Sequence, residues 1–416
     1  MAPVTQYVFA EMLVISECFA AGSHEWLPYS VIPAFSKQIG KQQFITLWQP
    51  ETILPKSPKE RNILMIELEN LLRVAVEREA SDIFIIGGLN PTFRRSGAII
   101  HTGEERLLPP DTQRLLEQTY ALADHRSMER LLQQGDDDFS FSIPGLSRFR
   151  VSAFRQRGSL SAVIRVIRFV LPDYQQLGIP DAVMRLADAR QGMVLVAGTA
   201  GSGKSTTLAC IIDRINKTRQ THIITLEDPL EYLHRHDKSI VTQREIGQDT
   251  VSYVKALRAA LRQSPDIILL GEMRDYETID VAMTAAETGH LLFSTLHTIG
   301  AANTIERIID VFPANQQRQI TVQLASVLSA VVSQQLVPTV EGTLVPAFEI
   351  MTVNPAIRAM IRDGKVHQID AMLYGSAREE MLSMDQSLLR LYQRRLITRE
   401  TALAYATNPE MLQKRL

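Results

Sequence analysis

Residues 198–206 read GTAGSGKST, a full G-x-x-x-x-G-K-S/T match. Its glycines let consecutive backbone amides curl around phosphate oxygens. Such a loop needs a strand before it and a helix after it, so that the positive end of the helix faces the anion. Both flanks are present. MVLVAG at 193–198 is a short apolar run, and KSTTLACIIDRINK at 204–217 opens an apolar-periodic helix. A chance glycine-rich turn has neither. In this setting Gly198, Thr199, Ala200, Gly201, Ser202 and Gly203 form the cradle with Lys204, Ser205 and Thr206. Lys204 reaches the β- and γ-phosphates of a nucleoside triphosphate, and Ser205 ligates Mg²⁺.

The surrounding pattern agrees. MVLVAG, THIITL, DIILLG and HLLFSTLH are short apolar runs of the kind that parallel strands show when both faces are covered. Helical stretches such as SYVKALRAALRQ lie between them, and strand–helix alternation predicts a doubly wound α/β domain over residues 188–375. Upstream, residues 63–170 read as a smaller α+β domain. RNILMIELENLLRVAVEREASD is an amphipathic helix with Ile66, Leu68, Leu71, Leu72 and Ala75 near helical spacing. DIFIIGG and GAIIHTG read as strands with a turn around Pro91 between them. LPPDTQRLLEQTYALA reads as a helix with Asp111 at its N-cap, and FSFSI, RFRVSAF and SAVIRVIRFV as three more strands. Residues 171–187 read as a linker carrying Pro172 and Pro180, and 376–416 as short C-terminal helices. Residues 1–62 show no sustained period and form an N-terminal extension of unknown role: an upstream mis-assigned start before Met65, or a docking segment.

Bulk properties narrow the function classes. The net charge of −2 supplies no global basic field for nucleic acid or an anionic membrane. Two cysteines, Cys18 and Cys210, cannot build a four-ligand zinc site or a disulfide framework. Charged residues interrupt every apolar stretch before about 18 residues, so no membrane span is expected.

Three further elements belong beside the phosphate loop. ITLEDPLEY places Glu227, Asp228 and Glu231 just past a strand end, where ligands of open α/β sheets bind. A carboxylate there can orient or deprotonate an attacking water. DIILLGE ends in Glu272, with Gly271 where P-loop proteins commonly carry a metal-side aspartate, so Glu272 takes the Mg²⁺ role. Asp266 opens that strand at the opposite end and reads as a structural cap. TAAETGHLLFSTLHT puts His297 at the end of a strand, on the same sheet edge, where it can sense the γ-phosphate. Arg258 and Arg262 are spaced i,i+4 on one helical face, and Arg150 and Arg165 lie on strands of the first domain.

Together these segments resemble the secretion ATPases, most closely the type IV pilus retraction ATPases of the PilT type. The resemblance covers about residues 65–410 and includes ASDIFI, DFSFSIPGLSRFRVSAF, GTAGSGKSTTLA, ITLEDPLEY, QREIG, LRAALRQSPDIILLGEMRD, TAAETGHLLFSTLHT and IERIIDVFP. It implies a RecA-like P-loop ATPase domain, a PAS-like N-terminal domain, ATP and Mg²⁺ as ligands, Glu231 as catalytic base and Glu272 as the Walker B glutamate. It implies that Arg150, Arg165, Arg258 and Arg262 engage nucleotide within or between subunits of a homohexamer. It further implies a cytoplasmic motor held at the inner face of the membrane by an inner-membrane pilus platform protein. NPAIRAMIRDGK at 354–365 resembles the AIRNLIR motif of the retraction branch, departing at Ala359 and Met360, and its apolar period also fits a plain packing helix. The absent four-cysteine element points away from the pilus-assembly and type II secretion enzymes. Those enzymes remain the nearest alternative. A nucleic-acid translocase is the alternative of a different class, followed by a small-molecule kinase or a nucleotide-binding scaffold.

Overall fold

The computed structural model describes residues 67–416 except 96, 104, 168–170, 377 and 379. The expectation for residues 1–62 and the inclusion of Ile66 in the first helix lie outside the described residues.

The first sheet is wholly antiparallel. Helix α1 (Leu68–Glu77) buries Leu68, Leu71, Leu72 and Ala75, the spacing of one helical face. Strands β1 (Asp82–Ile85), β2 (Thr92–Arg95) and β3 (Ala98–His101) follow. Thus the Pro91 region holds a strand as well as a turn. Helix α2 (Pro109–Leu122) starts earlier than an Asp111 N-cap predicts. Leu108 is the cap, Pro109 and Pro110 fill the first turn, where a missing N–H is harmless, and the Asp111 carboxylate accepts from the Leu108 amide at 2.9 Å. After α3 (Glu129–Gln134) come β4 (Asp136–Ile143), β5 (Ser147–Gln156) and β6 (Ser159–Ile167). The strand order is β3-β2-β1-β6-β5-β4. Alternating residues Phe139, Phe141, Phe149, Val151, Ala162 and Ile164 join Leu115, Leu116 and Tyr120 of α2 in one core.

The second sheet has eight strands. Helix α4 (Asp181–Met184) leads to β7 (Gly192–Ala197), the phosphate-loop segment and α5 (Lys204–Thr218). Then come β8 (His222–Glu227), β9 (Ile240–Glu245), α6 (Tyr253–Ala260), β10 (Ile267–Leu270), α7 (Tyr276–Glu287) and β11 (Leu291–Leu296). Helices α8 (Ala301–Asp310) and α9 (Ala314–Val327) precede β12 (Leu328–Pro338) and β13 (Leu344–Thr352). The order is β14-β13-β12-β7-β11-β10-β8-β9, where β14 is Met381–Leu382. Strands β12 through β9 run parallel; at one edge β13 pairs antiparallel with β12, and β14 antiparallel with β13.

Period-two alternation divides the strand side chains between two cores. Met193, Leu195, Ile268 and Leu270 meet helices α6 to α9 on one face, together with α10 (Pro355–Arg362) and α11 (Ile369–Gly375). Val194, Val196, Ile267 and Leu269 meet α4 and α5 on the other. Helices α12 (Met384–Gln393), α13 (Arg399–Tyr405) and α14 (Pro409–Gln413) pack as a small cluster against Val337 and Ala347. The stretch expected as C-terminal helices therefore also contributes β14 to the sheet.

Sequence patterning missed β9, β12 and β13, the first two for identifiable reasons. β9 is an edge strand reading IVTQRE, whose polar residues are bonded to neighbouring segments, so it shows no apolar run. β12 follows α9 with no intervening turn, so no punctuation separates helix from strand. No helix among the described residues is long and apolar enough to cross a membrane.

Candidate active site

Every strand of the parallel set points its carboxyl end to one edge, and four of the predicted groups sit there in succession. Lys204 follows β7, Glu231 follows β8, Glu272 follows β10 and His297 follows β11, and these strands stand in the order β7-β11-β10-β8.

The loop between β7 and α5 is shaped by its glycines. Gly198 has φ +149° and Gly203 has φ +89°, values open to glycine and strained for other residues. A Cβ on Gly198 would run into the Gln334 carbonyl and lie 2.6 Å from Ser202 Oγ, and one on Gly203 would lie 2.8 Å from Gln334 Nε2. Gln334, on β12, is 3% exposed, and its Oε1 accepts from Thr207 at 2.7 Å. The loop is thus clasped from β12, a contact that no sequence motif announces.

Lys204 is 7% exposed, and its ammonium donates to the carbonyls of Gly198 and Thr199, each at 2.9 Å. It stays beneath the curl of the loop. Burial draws its pKa below the ordinary lysine value, and the charges of Glu231 and Glu272 oppose that shift. One buried cation therefore lies within the field of carboxylates from two different strand ends.

Glu272 is 8% exposed. The chain around it is pinned on both sides: Gly271 N donates to Leu226 O at 2.7 Å, Thr295 Oγ1 to Gly271 O at 2.6 Å, and Met273 N to Thr295 O at 3.2 Å. The carboxylate meets Arg274 at 2.6 Å through one oxygen and His297 Nε2 at 3.3 Å through the other. Arg274 is mostly exposed, and its place two residues beyond Glu272 in GEMRD was the available signal for it.

Glu227 ends β8, and the acidic loop after it carries Asp228 and Glu231. Burial, with the Glu231 charge adding to it, pushes the Glu227 carboxyl up to about 7. Glu231 is exposed, and the residue after it, Tyr232, places its hydroxyl 2.9 Å from Thr206 Oγ1. Asp266 caps the opposite sheet end by accepting from the His222 amide at 2.8 Å. His290 bonds the carbonyl of Ala285 at 2.9 Å, before its strand begins.

The four predicted arginines, Arg150, Arg165, Arg258 and Arg262, are bonded elsewhere or not at all within the described residues. Among the described residues none of the four bonds Lys204, Glu231, Glu272 or His297. Arg150 and Arg165 are directly opposite on β5 and β6, and Arg165 donates to Asp82 at 2.9 Å. Helix α6 ends at Ala260, so Arg262 lies past the helix instead of on its face. Its guanidinium folds back onto the Arg258 carbonyl at 2.9 Å.

The donor set fits a triphosphate with a divalent cation. Amides at the start of α5 and the Lys204 ammonium are donors suited to an anion, while the Ser205 hydroxyl and Glu272 carboxylate are hard oxygen ligands suited to Mg²⁺.

The family described as Type II/IV secretion system protein matches residues 58–408. The chain is 41% identical over 346 residues to the type IV pilus retraction ATPase PilT of Pseudomonas aeruginosa, covering 83% of this chain and 99% of that protein. It is 42% identical over 345 residues to a twitching motility protein of Neisseria gonorrhoeae, covering 82% and 91%. A crystal structure of the pilus retraction motor PilT with bound ADP aligns with a TM-score of 0.76 at 44% identity, covering 84% of this chain and 99% of that one, so the two share one α/β fold.

Proposed function

Because the chain belongs to the Type II/IV secretion system protein family, we propose that it is an ATP-hydrolysing motor that powers type IV pilus retraction. The observation that carries the ATP-hydrolysing part of this reading is that Lys204, Glu231 and Glu272 each follow a strand of one parallel sheet, at the same carboxyl edge. A phosphate-gripping cation beside two carboxylates is the equipment for in-line attack of water on a γ-phosphate.

The loop amides and Lys204 hold the β- and γ-phosphates. Ser205 and Glu272 would hold Mg²⁺, which when bound neutralises charge on the phosphate oxygens. Glu231 orients a water and accepts its proton as the oxygen attacks the γ-phosphorus. The bond to the bridging β–γ oxygen breaks, and ADP and phosphate leave. His297, bonded to Glu272, senses the γ-phosphate through that carboxylate. Arg150, Arg165, Arg258 and Arg262, not bonded to this cluster within one chain, supply charge across a subunit boundary, which calls for a ring of copies, a homohexamer by the family likeness. The pilus platform protein at the inner membrane face is the partner that receives the motion.

Lys204→Ala, Glu231→Gln and Glu272→Gln should each abolish phosphate release while the unfolding temperature stays near that of the parent. Full turnover in any of them contradicts that residue's assignment. A deletion strain should make surface pili yet lose twitching, with rescue by the parent gene and not by Glu272→Gln. Loss of pili instead would assign the chain to assembly.

A further inference from the structure

The segment QREIG at 243–247 has no role in the chemistry above, yet it joins the acidic loop to the first sheet. β9 pairs with β8 in unbroken register, from His222 opposite Ile240 to Glu227 opposite Glu245. Residues two apart on a regular strand share a face, so Gln243 and Glu245 point the same way. Their bonds run to different parts of the molecule.

Gln243 grips the acidic loop by its main chain. Its Nε2 donates to the Tyr232 carbonyl at 2.9 Å, and its Oε1 accepts from the His234 amide at 2.8 Å. The two bonds use both ends of one carboxamide and bracket the residues directly after Glu231. The same loop is tied at Tyr232 to the Thr206 hydroxyl of the phosphate loop.

Glu245 grips the antiparallel sheet. Its carboxylate receives Arg148 Nη2 from β5 at 3.0 Å and Ser140 Oγ from β4 at 2.8 Å. The Arg148 side chain is 17% exposed and that of Glu245 5%, so the pair is held largely out of solvent, where breaking it leaves a charge without its partner. β9 is the last strand of its sheet and pairs only with β8, so side-chain bonds such as these add to what holds it.

We infer that Gln243 is a positioning residue for Glu231, and that Glu245, held by Arg148 and Ser140, ties that positioning to the small antiparallel domain. A shift of that domain pulls on β9, and β9 carries the loop that places the water-orienting carboxylate. The inference rests on the catalytic reading of Glu231 given above.

The test uses the full chain, with steady-state ATPase, equilibrium binding of a fluorescent non-hydrolysable ATP analogue, and thermal unfolding. Gln243→Leu keeps the volume and removes both bonds, together with the one Gln243 makes to the Glu227 carboxyl. Its kcat should fall about tenfold to a hundredfold, since displacement of a catalytic group by about 1 Å costs that much. KM and analogue affinity should change less than about twofold if the phosphate grip is untouched. Arg148→Glu and Glu245→Arg should each lower kcat, and the charge-swapped double variant should recover it. An unchanged kcat in Gln243→Leu overturns the inference, as does a parallel loss of kcat, affinity and unfolding temperature. A swap that recovers nothing removes the tie to the small domain. Turnover retained in Glu231→Gln would instead overturn the catalytic reading, whereas a dead Glu231→Gln beside a fully active Gln243→Leu overturns this inference alone.

Discussion

The phenol oxygen of Tyr253 stands 2.8 Å from the point where a Cβ on Gly271 would lie, with Leu226 O at 3.2 Å and Glu227 Cα at 3.3 Å on the other sides. Position 271, where an aspartate is common in P-loop sheets, has no room for a side chain here. The acid moves to Glu272, and the aromatic residue at the start of α6 covers the gap. Gly271→Ala should therefore destabilise the protein by about 1–3 kcal/mol, the usual range for overpacking. Adding Tyr253→Phe should recover part of the loss. Urea unfolding of the two variants checks this, and a Gly271→Ala protein as stable as the parent contradicts it.

Arg150 and Arg165 face each other across β5 and β6, two like charges in a position that costs about 0.2–1 kcal/mol. Asp82 offsets the cost for Arg165. Arg150 has no hydrogen-bond or ion-pair partner among the described residues, and a pair held against its own repulsion suits an anion brought by another subunit. Arg150→Ala should leave stability unchanged or raise it by a few tenths of a kcal/mol, while turnover of the assembled protein falls at least about tenfold. Unfolding and ATPase measurements on one preparation decide it.

Glu349 is 4% exposed and accepts from the amides that open two helices, Ala301 at 2.7 Å and Met384 at 3.4 Å. Burial outweighs these bonds and pushes its carboxyl up to about 7. The folded protein thus keeps a proton that the unfolded chain releases near its ordinary value of about 4.5. This contribution to stability is complete below about pH 4.5 and is lost as pH rises through 7; Glu227 acts in the same direction. Glu349→Gln should flatten the decline of unfolding temperature between pH 4.5 and 7. An identical slope in parent and variant would count against the shift.

Arg358 of the AIRAMIR segment turns inward. Its guanidinium donates to the Ala325 and Ser326 carbonyls at the end of α9, at 2.6 Å for Ser326, while Ile357 and Ile361 are fully buried. A cation there satisfies carbonyls that a helix end leaves without partners. Arg358→Ala should cost about 1.5–3 kcal/mol in chemical denaturation, the range for bonds to a charged group. The kcat of the purified protein should stay within about twofold, because no bond of Arg358 reaches the phosphate loop.

The elements legible in advance were those whose chemistry is local. The phosphate loop is a nine-residue backbone device, and the strands β7, β8, β10 and β11 are apolar runs because both faces are covered. That they end on one edge follows from parallel topology, so Lys204, Glu231, Glu272 and His297 could be grouped before any coordinates. Glu231 could not be separated from Glu227 and Asp228 by spacing alone, since all three lie within five residues at one strand end.

The amino-acid order alone determined the nucleotide loop, the class of sheet and the carboxylates of the edge, because period and motif are carried by neighbours in the chain. Only the folded molecule decided what surrounds them. Gln334 is 130 residues from Lys204 by numbering and still shapes its loop, and Arg148 meets Glu245 across 97 positions. Such contacts have no period to read, because they depend on which strands become neighbours, and that is settled by packing the two faces of the sheet at once.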